Sequence, residues 1–172
     1  MIVVSAIMVG LSGCSDSTPS ASASAAPTIT VTSPAFSDGD AIPADHSCDG
    51  AGTAPPLVWR GVPTKARELA VVVDDPDAPG GTYTHWVVLR INVHTTTIGE
   101  GSRPAGSVEV PNSSGEPGYA PLCPPSGSHH YRFTVYALSA PTDRDDHSLG
   151  RALSDITAHT IAWGRLTGTY RR

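Results

Sequence analysis

The sequence predicts a single, mainly β domain, and three observations carry that prediction. Pro and Gly, at 16 and 17 of 172 residues, punctuate the whole chain. Apolar runs of strand length outnumber runs of helical period. The composition fits neither a helix bundle nor a collagen-like or disordered chain. The length excludes two large domains. With a short leader and tether set aside, about 145 residues remain, enough to bury roughly two-thirds of the unfolded chain's surface. The formal charge is −5, with 11 Lys and Arg and no basic run, so there is no electrostatic footprint for a polyanion and nucleic acid is not an expected partner.

At the beginning of the chain, residues 2–11 form an apolar stretch of about ten residues, the core length of a secretory signal and well short of the ~20 needed to span a bilayer. The stretch runs into Leu11-Ser12-Gly13-Cys14, which resembles the lipobox of bacterial lipoproteins, where small residues precede a cysteine whose thiol takes the lipid. Residues 1–13 are therefore expected to be a lipoprotein signal peptide and Cys14 the lipidation site. That would anchor the protein through lipid on the outer face of the cytoplasmic membrane or in the cell envelope. No Lys or Arg precedes the apolar run, so the basic segment of the signal, and the true start codon, are expected upstream. The competing reading is a buried strand carrying an ordinary core cysteine. Residues 14–27, almost all Ser, Ala, Thr and Pro after the cysteine, cannot bury enough apolar surface to offset their ordering entropy and read as a flexible tether. Residues 28–172 are left as the folded domain.

Within that domain, Thr28-Ile29-Thr30-Val31-Thr32 alternates β-branched and polar residues, as a half-buried first strand does, and Ser33-Pro34 ends it. Asp38-Gly39-Asp40 is a turn. Leu57-Val58-Trp59 follows a double proline and reads as a short strand that leaves through Gly61-Val62-Pro63. Leu69-Ala70-Val71-Val72-Val73 is apolar throughout, the pattern of a strand buried on both faces, and so the expected centre of the fold. The β-prone run from His85 to Ile91 is its expected neighbour. Residues 92–121, rich in Gly, Pro and Ser, read as a long surface excursion with a short strand from Ser107 to Val110. Tyr131 to Leu138 alternates large apolar with smaller or polar residues and forms a further core strand. From Ser148 the period changes: Leu149, Leu153, Ile156 and Thr160 make one stripe of an amphipathic helix, with Asp146 or Ser148 as N-cap and Gly164 as its end. Thr167 to Tyr170 adds a small strand.

Two segments combine polar groups with rigid prolines at the ends of core strands: Asp74-Asp75-Pro76-Asp77-Ala78-Pro79 leading to His85-Trp86, and Pro124-Pro125-Ser126-Gly127-Ser128-His129-His130-Tyr131. Proline-fixed loops at a sheet edge present side chains with little conformational freedom, which suits a pre-organised pocket. The structural alternative is that Asp75 and Asp77 cap a tight turn and the histidines satisfy buried carbonyls. If Cys14 carries lipid, Cys48 and Cys123 are an even pair in an oxidising compartment, forming one disulfide or remaining two separate buried thiols.

Taken in order, Cys48-Asp49-Gly50, Pro55-Pro56-Leu57-Val58-Trp59, Asp75-Pro76-Asp77-Ala78-Pro79 with His85-Trp86-Val87-Val88, and Gly118-Tyr119 through Pro124-Pro125-Ser126-Gly127-Ser128-His129-His130-Tyr131 resemble the phosphatidylethanolamine-binding proteins. The match is to their bacterial and archaeal branch, described as Raf kinase inhibitor-like, and it covers almost all of residues 28–172. It implies a β-sandwich-like arrangement of antiparallel sheets with a C-terminal α-helix. It also implies a ligand pocket of Asp75, Asp77, Pro79, His85, Pro124, His129 and Tyr131. Two departures stand out. His130 occupies a position where the family usually has Arg, and Ala120-Pro121-Leu122-Cys123 is one residue longer than the usual approach to the double proline.

These residues suit a small anion. A carboxylate beside an imidazole raises the fraction of imidazolium, whose N–H groups can donate to a phosphoryl or carboxylate oxygen. Asp75 is expected to hold and charge a histidine, His85 and His129 to supply donors, Tyr131 a hydroxyl, loop amides beside Gly127 or Gly80 further donors, and the prolines an apolar wall. No enzyme is expected. The proline between Asp75 and Asp77 makes a turn motif of that carboxylate pair, no metal-ligand spacing appears, and no nucleophile elbow surrounds Ser126 or Ser128. His46, His94, His147 and His159 read as solvated surface residues. The expectation is an exported, lipid-anchored binding protein for a small anionic ligand such as a phospholipid headgroup, without a cofactor. The alternatives are an inhibitor or regulatory partner of an envelope enzyme, and a hydrolase of unknown substrate. The family's kinase-regulating role does not carry over, because an exported protein would not meet a cytosolic kinase.

Overall fold

The computed structural model describes residues 29–143 and 145–172; the leader, Cys14 and the tether lie outside the described residues. Eight strands, β1 (Thr30–Thr32), β2 (Leu57–Arg60), β3 (Glu68–Asp75), β4 (Tyr83–Ile91), β5 (Thr97–Ile98), β6 (Val108–Val110), β7 (Ser128–Leu138) and β8 (Thr160–Arg171), and one helix, α1 (Leu149–His159), are found among them. The strands form a three-stranded sheet in the order β1-β2-β5 and a five-stranded sheet in the order β6-β4-β3-β7-β8. Every named pairing is antiparallel. This is the mainly β sandwich with a C-terminal helix that the family resemblance implies.

The burial of β3 on both faces follows from its place between β4 and β7. Leu69, Val71 and Val73 join Trp59, Trp86, Phe133 and Val135 in the core between the sheets, whereas Ala70 and Val72 join Val87, Leu89, Ala152 and Ile156 under the helix. The alternation of period two thus sends successive apolar residues into two different cores. Ser148 is the helix N-cap, its Oγ accepting from Arg151 N at 3.3 Å, with Leu149 and Leu153 packed at the rim of the second core.

The end of the helix differs from expectation. α1 stops at His159, with Thr160 as an extended C-cap, and Gly164 lies inside β8. The small strand expected at Thr167 to Tyr170 is the last part of this 12-residue strand, which pairs with β7 from Thr160 to Arg171. Its inward positions are Ala162, Gly164, Leu166 and Gly168, so the burying face carries little side chain to read. The chain needs glycine there: a Cβ on Gly164 would lie 1.8 Å from the Ile29 carbonyl oxygen. The excursion over residues 92–121 contains β5 as well as β6.

Cys48 and Cys123 form a disulfide, with their Cα atoms 5.4 Å apart and a sequence separation of 75. It ties the turn after the short 3-10 helix Ala44–His46 to the loop that enters β7. His46, expected on the surface, is 3% exposed, and its Nδ1 lies 2.9 Å from the Thr53 carbonyl, so it locks this turn from inside. Closing so long a loop restricts the unfolded chain, which on the loop-entropy model corresponds to about 4 kcal/mol. Urea unfolding with and without reductant, beside a Cys48→Ser/Cys123→Ser variant, should show a loss approaching that size; equal midpoints in all samples would contradict it.

Candidate functional site

Strand direction brings the motif residues together. β3 is flanked by two antiparallel neighbours, so its last residue meets the first residues of both β4 and β7. Asp75 ends β3, Tyr83 opens β4 opposite it, and His129 is the second residue of β7. Asp75 and His129 point to the inter-sheet side by simple alternation with Val73 and Tyr131. Tyr83 and His85, in step with Val87, do not. The register shifts between Val73, paired with Trp86, and Asp74, paired with Thr84, leaving His85 as the extra residue of a β-bulge. A regular strand would send His85 to the helix side with Val87; the bulge turns it toward the inter-sheet side, where its ring meets Tyr131 edge-on at 5.3 Å.

A recess of about 290 Å³ opens at this corner, lined by Asp75, Ala78, Pro79, Tyr83, His85, Pro121, Cys123, Pro125 and His129. Asp75, only 3% exposed, organises it. Its Oδ2 accepts from His129 Nδ1 at 2.7 Å, and its Oδ1 accepts from the Asp77 amide at 2.8 Å. The carboxylate thus both holds the histidine and closes the proline turn, so the two readings of this aspartate hold together. On the outer face Arg132 grips Asp74 through two hydrogen bonds, at 2.8 and 2.6 Å, pinning β3 to β7 beside the site.

His85 has a different partner. Its Nδ1 lies 2.9 Å from the Ala120 carbonyl oxygen, which can only accept, so the ring proton sits on Nδ1 and the neutral ring presents a lone pair at Nε2. Burial lowers its pKa, outweighing the Ala120 hydrogen bond and the charges of Asp75 and Asp74, which raise it. His85 is therefore placed as an acceptor, not as the donor expected from the sequence. Because the folded value lies below the ordinary 6.5, the unfolded chain binds a proton that the folded chain refuses. Stability from this group is fully present above pH 6.5 and is lost as pH falls through the folded value, at no more than about 1.4 kcal/mol per pH unit. Urea unfolding at about pH 7.5 and about pH 5.5 should show a smaller drop for His85→Gln than for the unsubstituted protein; equal drops would contradict the assignment.

Three expected pocket residues lie elsewhere. Asp77 turns outward, its Oδ2 accepting from the His130 amide at 2.8 Å and from His130 Nδ1 at 2.7 Å, bonds that lower its pKa. The departure at His130 thus has a partner of its own outside the recess. Pro124 is buried behind the wall, and Pro121 and Pro125 face the opening instead. Tyr131 is fully buried beneath the histidines, stacked against His129 at 6.5 Å, with a hydroxyl that has no hydrogen-bond partner among the described residues and a pKa raised by burial and by Asp75. The Gly127 amide donates to the Arg172 carbonyl at 3.0 Å, and neither Gly127 nor Gly80 lines the recess. Ala78, Tyr83, Pro121, Cys123 and Pro125 were not anticipated in the lining; Tyr83 stands two residues before His85, and extending that strand backwards by one period would have found it.

A larger cleft of about 430 Å³ lies beside Trp86, Arg103, Glu109 and Tyr119, but its polar groups answer one another. Trp86 Nε1 donates to Glu109 Oε1 at 2.8 Å, Arg103 stands 3.7 Å from the other oxygen, and Tyr119 donates to the His46 carbonyl at 2.9 Å. The smaller recess keeps two imidazole nitrogens outside such pairs, and is the better site. Of the other histidines expected in solvent, His147 and His159 are half-buried, and His147 Nε2 lies 2.9 Å from an Arg90 nitrogen.

A two-sheet β-sandwich with a histidine–carboxylate corner at the end of its central strand is the class of protein that this fold and this corner define. The chain belongs to the phosphatidylethanolamine-binding protein family, whose model matches residues 32–171. It is 46% identical over 151 residues to the Mycobacterium tuberculosis protein named "Putative lipoprotein LppC", covering 86% of this chain and 75% of that one. Among solved structures, the homologue CT736 of Chlamydia trachomatis superposes with a TM-score of 0.79 at 35% identity, covering 86% of this chain and 99% of that one. YbcL of Escherichia coli, described as a member of the mammalian family, superposes with a TM-score of 0.79 at 33% identity, covering 84% and 99%.

Proposed function

We propose that this protein is an exported, lipid-anchored binding protein whose corner recess takes a small anion, a phosphoryl or carboxylate group of headgroup size. The observation that carries the reading is the buried Asp75 carboxylate 2.7 Å from His129 Nδ1, which holds the imidazole with Nε2 left for a ligand. Proline on several sides keeps the recess rigid, and about 290 Å³ is room for a headgroup-sized anion. Lipid transport is not part of the proposal. The envelope location draws support from Leu11-Ser12-Gly13-Cys14 and from the relative named as a lipoprotein.

Titration calorimetry with phosphate and phosphorylethanolamine tests the recess. The unsubstituted protein should bind at least one of them, and His129→Ala should bind at least about tenfold more weakly through loss of a charge-assisted hydrogen bond. Equal binding by the two proteins, or none by either, would overturn the reading. Labelled palmitate should be incorporated by the intact chain and not by Cys14→Ala; label retained in that variant would refute the anchor.

A further inference from the structure

The two histidines of the recess are not equivalent. His129 is backed by a carboxylate and can present Nε2–H as the imidazolium of an ion pair with Asp75. His85 is backed by the carbonyl of Ala120, which offers no charge to support a second proton. The ionisable groups around His85 are Asp75 and Tyr83 at the strand ends, Asp74 behind them, Tyr131 beneath and His129 across the recess. Both Asp75 oxygens are already engaged, one by His129 and one by the Asp77 amide. A ligand therefore meets one nitrogen able to donate and one set to accept.

Resting on the reading that the recess takes an anion, we propose that it selects phosphates that still carry a proton, hydrogen phosphate or the singly protonated form of a phosphate monoester, over oxyanions that carry none, with His85 as the specificity-determining residue. A protonated phosphate gives its P–OH to His85 Nε2 and turns an unprotonated oxygen to His129. Sulfate has the same shape but no proton, so its lone pairs face the lone pair of His85 in a confined space. An acceptor left without its donor is the strongest form of rejection available to a polar site. A phosphodiester, the form in an intact phospholipid, likewise lacks the P–OH. The chemistry thus points to free phosphate or a monoester as the source.

Calorimetry on the full chain at about pH 6, where a phosphate monoester with a second pKa of about 6 is about half protonated, with inorganic phosphate, phosphorylethanolamine, dimethyl phosphate and sodium sulfate, tests this. Phosphate and the monoester should bind at least about tenfold more tightly than sulfate or dimethyl phosphate. Sulfate equal to phosphate would overturn the selectivity while leaving the anion site in place, and dimethyl phosphate equal to phosphate would do the same and point to a lipid source. No binding of any of the four would bring down the functional reading and this inference together. In His85→Gln the side-chain amide can turn its NH₂ to the ligand, and in His85→Asn the acceptor is withdrawn, so sulfate should come within about threefold of phosphate in either. A folded variant that keeps the full ratio would remove His85 from the role.

Discussion

Asp75→Ala is expected to weaken phosphate binding at least about a hundredfold and to lower unfolding stability by about 3 kcal/mol, because two donors lose a charged acceptor at once. Those donors are His129 Nδ1 and the Asp77 amide, and neither has another hydrogen-bond partner among the described residues. Asp74→Ala is the matching control. Its carboxylate meets Arg132 on the outer face, away from the recess, so that substitution should cost about 1–2 kcal/mol and leave affinity within about twofold. Calorimetry and urea unfolding on both variants separate the two aspartates. Equal loss of binding in both would mean that the strand end, not the buried carboxylate, sets affinity.

Gly164→Ala should produce the largest loss of stability among single methyl additions to β8. The new Cβ would stand 1.8 Å from the Ile29 oxygen and 2.6 Å from the Ile29 carbonyl carbon. Backbone cannot yield as a flexible side chain does, so the entry to β1, held by the Ile29 amide on the Trp163 carbonyl at 3.3 Å, must move away. A cost of about 3 kcal/mol and a fall of about 10 °C in Tm are expected. Gly150→Ala should act in the opposite sense. Gly150 lies on the exposed side of α1 with nothing within 4 Å of an added Cβ, so the gain in helix propensity should stabilise by about 0.5–1 kcal/mol. Thermal unfolding of both decides the point; a neutral Gly164→Ala would contradict the packing of β1 on β8.

The sequence is legible where side chains carry the signal and opaque where backbone does. β3 announces itself because five successive apolar residues can be buried only between two cores. β8 conceals itself because its inward positions are Ala162, Gly164, Leu166 and Gly168, and the apolar stripe of the preceding helix runs into it as far as Thr160. The site follows the same rule. Asp75 and His129 are readable as polar residues at ends of core strands, and the antiparallel order of β4-β3-β7 makes their meeting a consequence of direction. His85 is readable as a residue and not as an orientation, since the bulge that turns it leaves no mark on composition or period. Asp77 and Tyr131 lie within two residues of positions that line the recess, yet a turn sends one outward to His130 and a single strand period carries the other beneath the floor. Choosing between Pro124 and Pro125 required the path of the loop.

The central claim is that the end of β3 and the starts of β4 and β7 form one anion-binding corner, and a crystal structure of the protein grown with phosphate tests it most directly. The predicted result is a phosphoryl group in the recess within about 3.2 Å of both His85 Nε2 and His129 Nε2. Phosphate seated instead between Arg67 and Arg90, in the separate cleft of about 400 Å³ that they line, would contradict it.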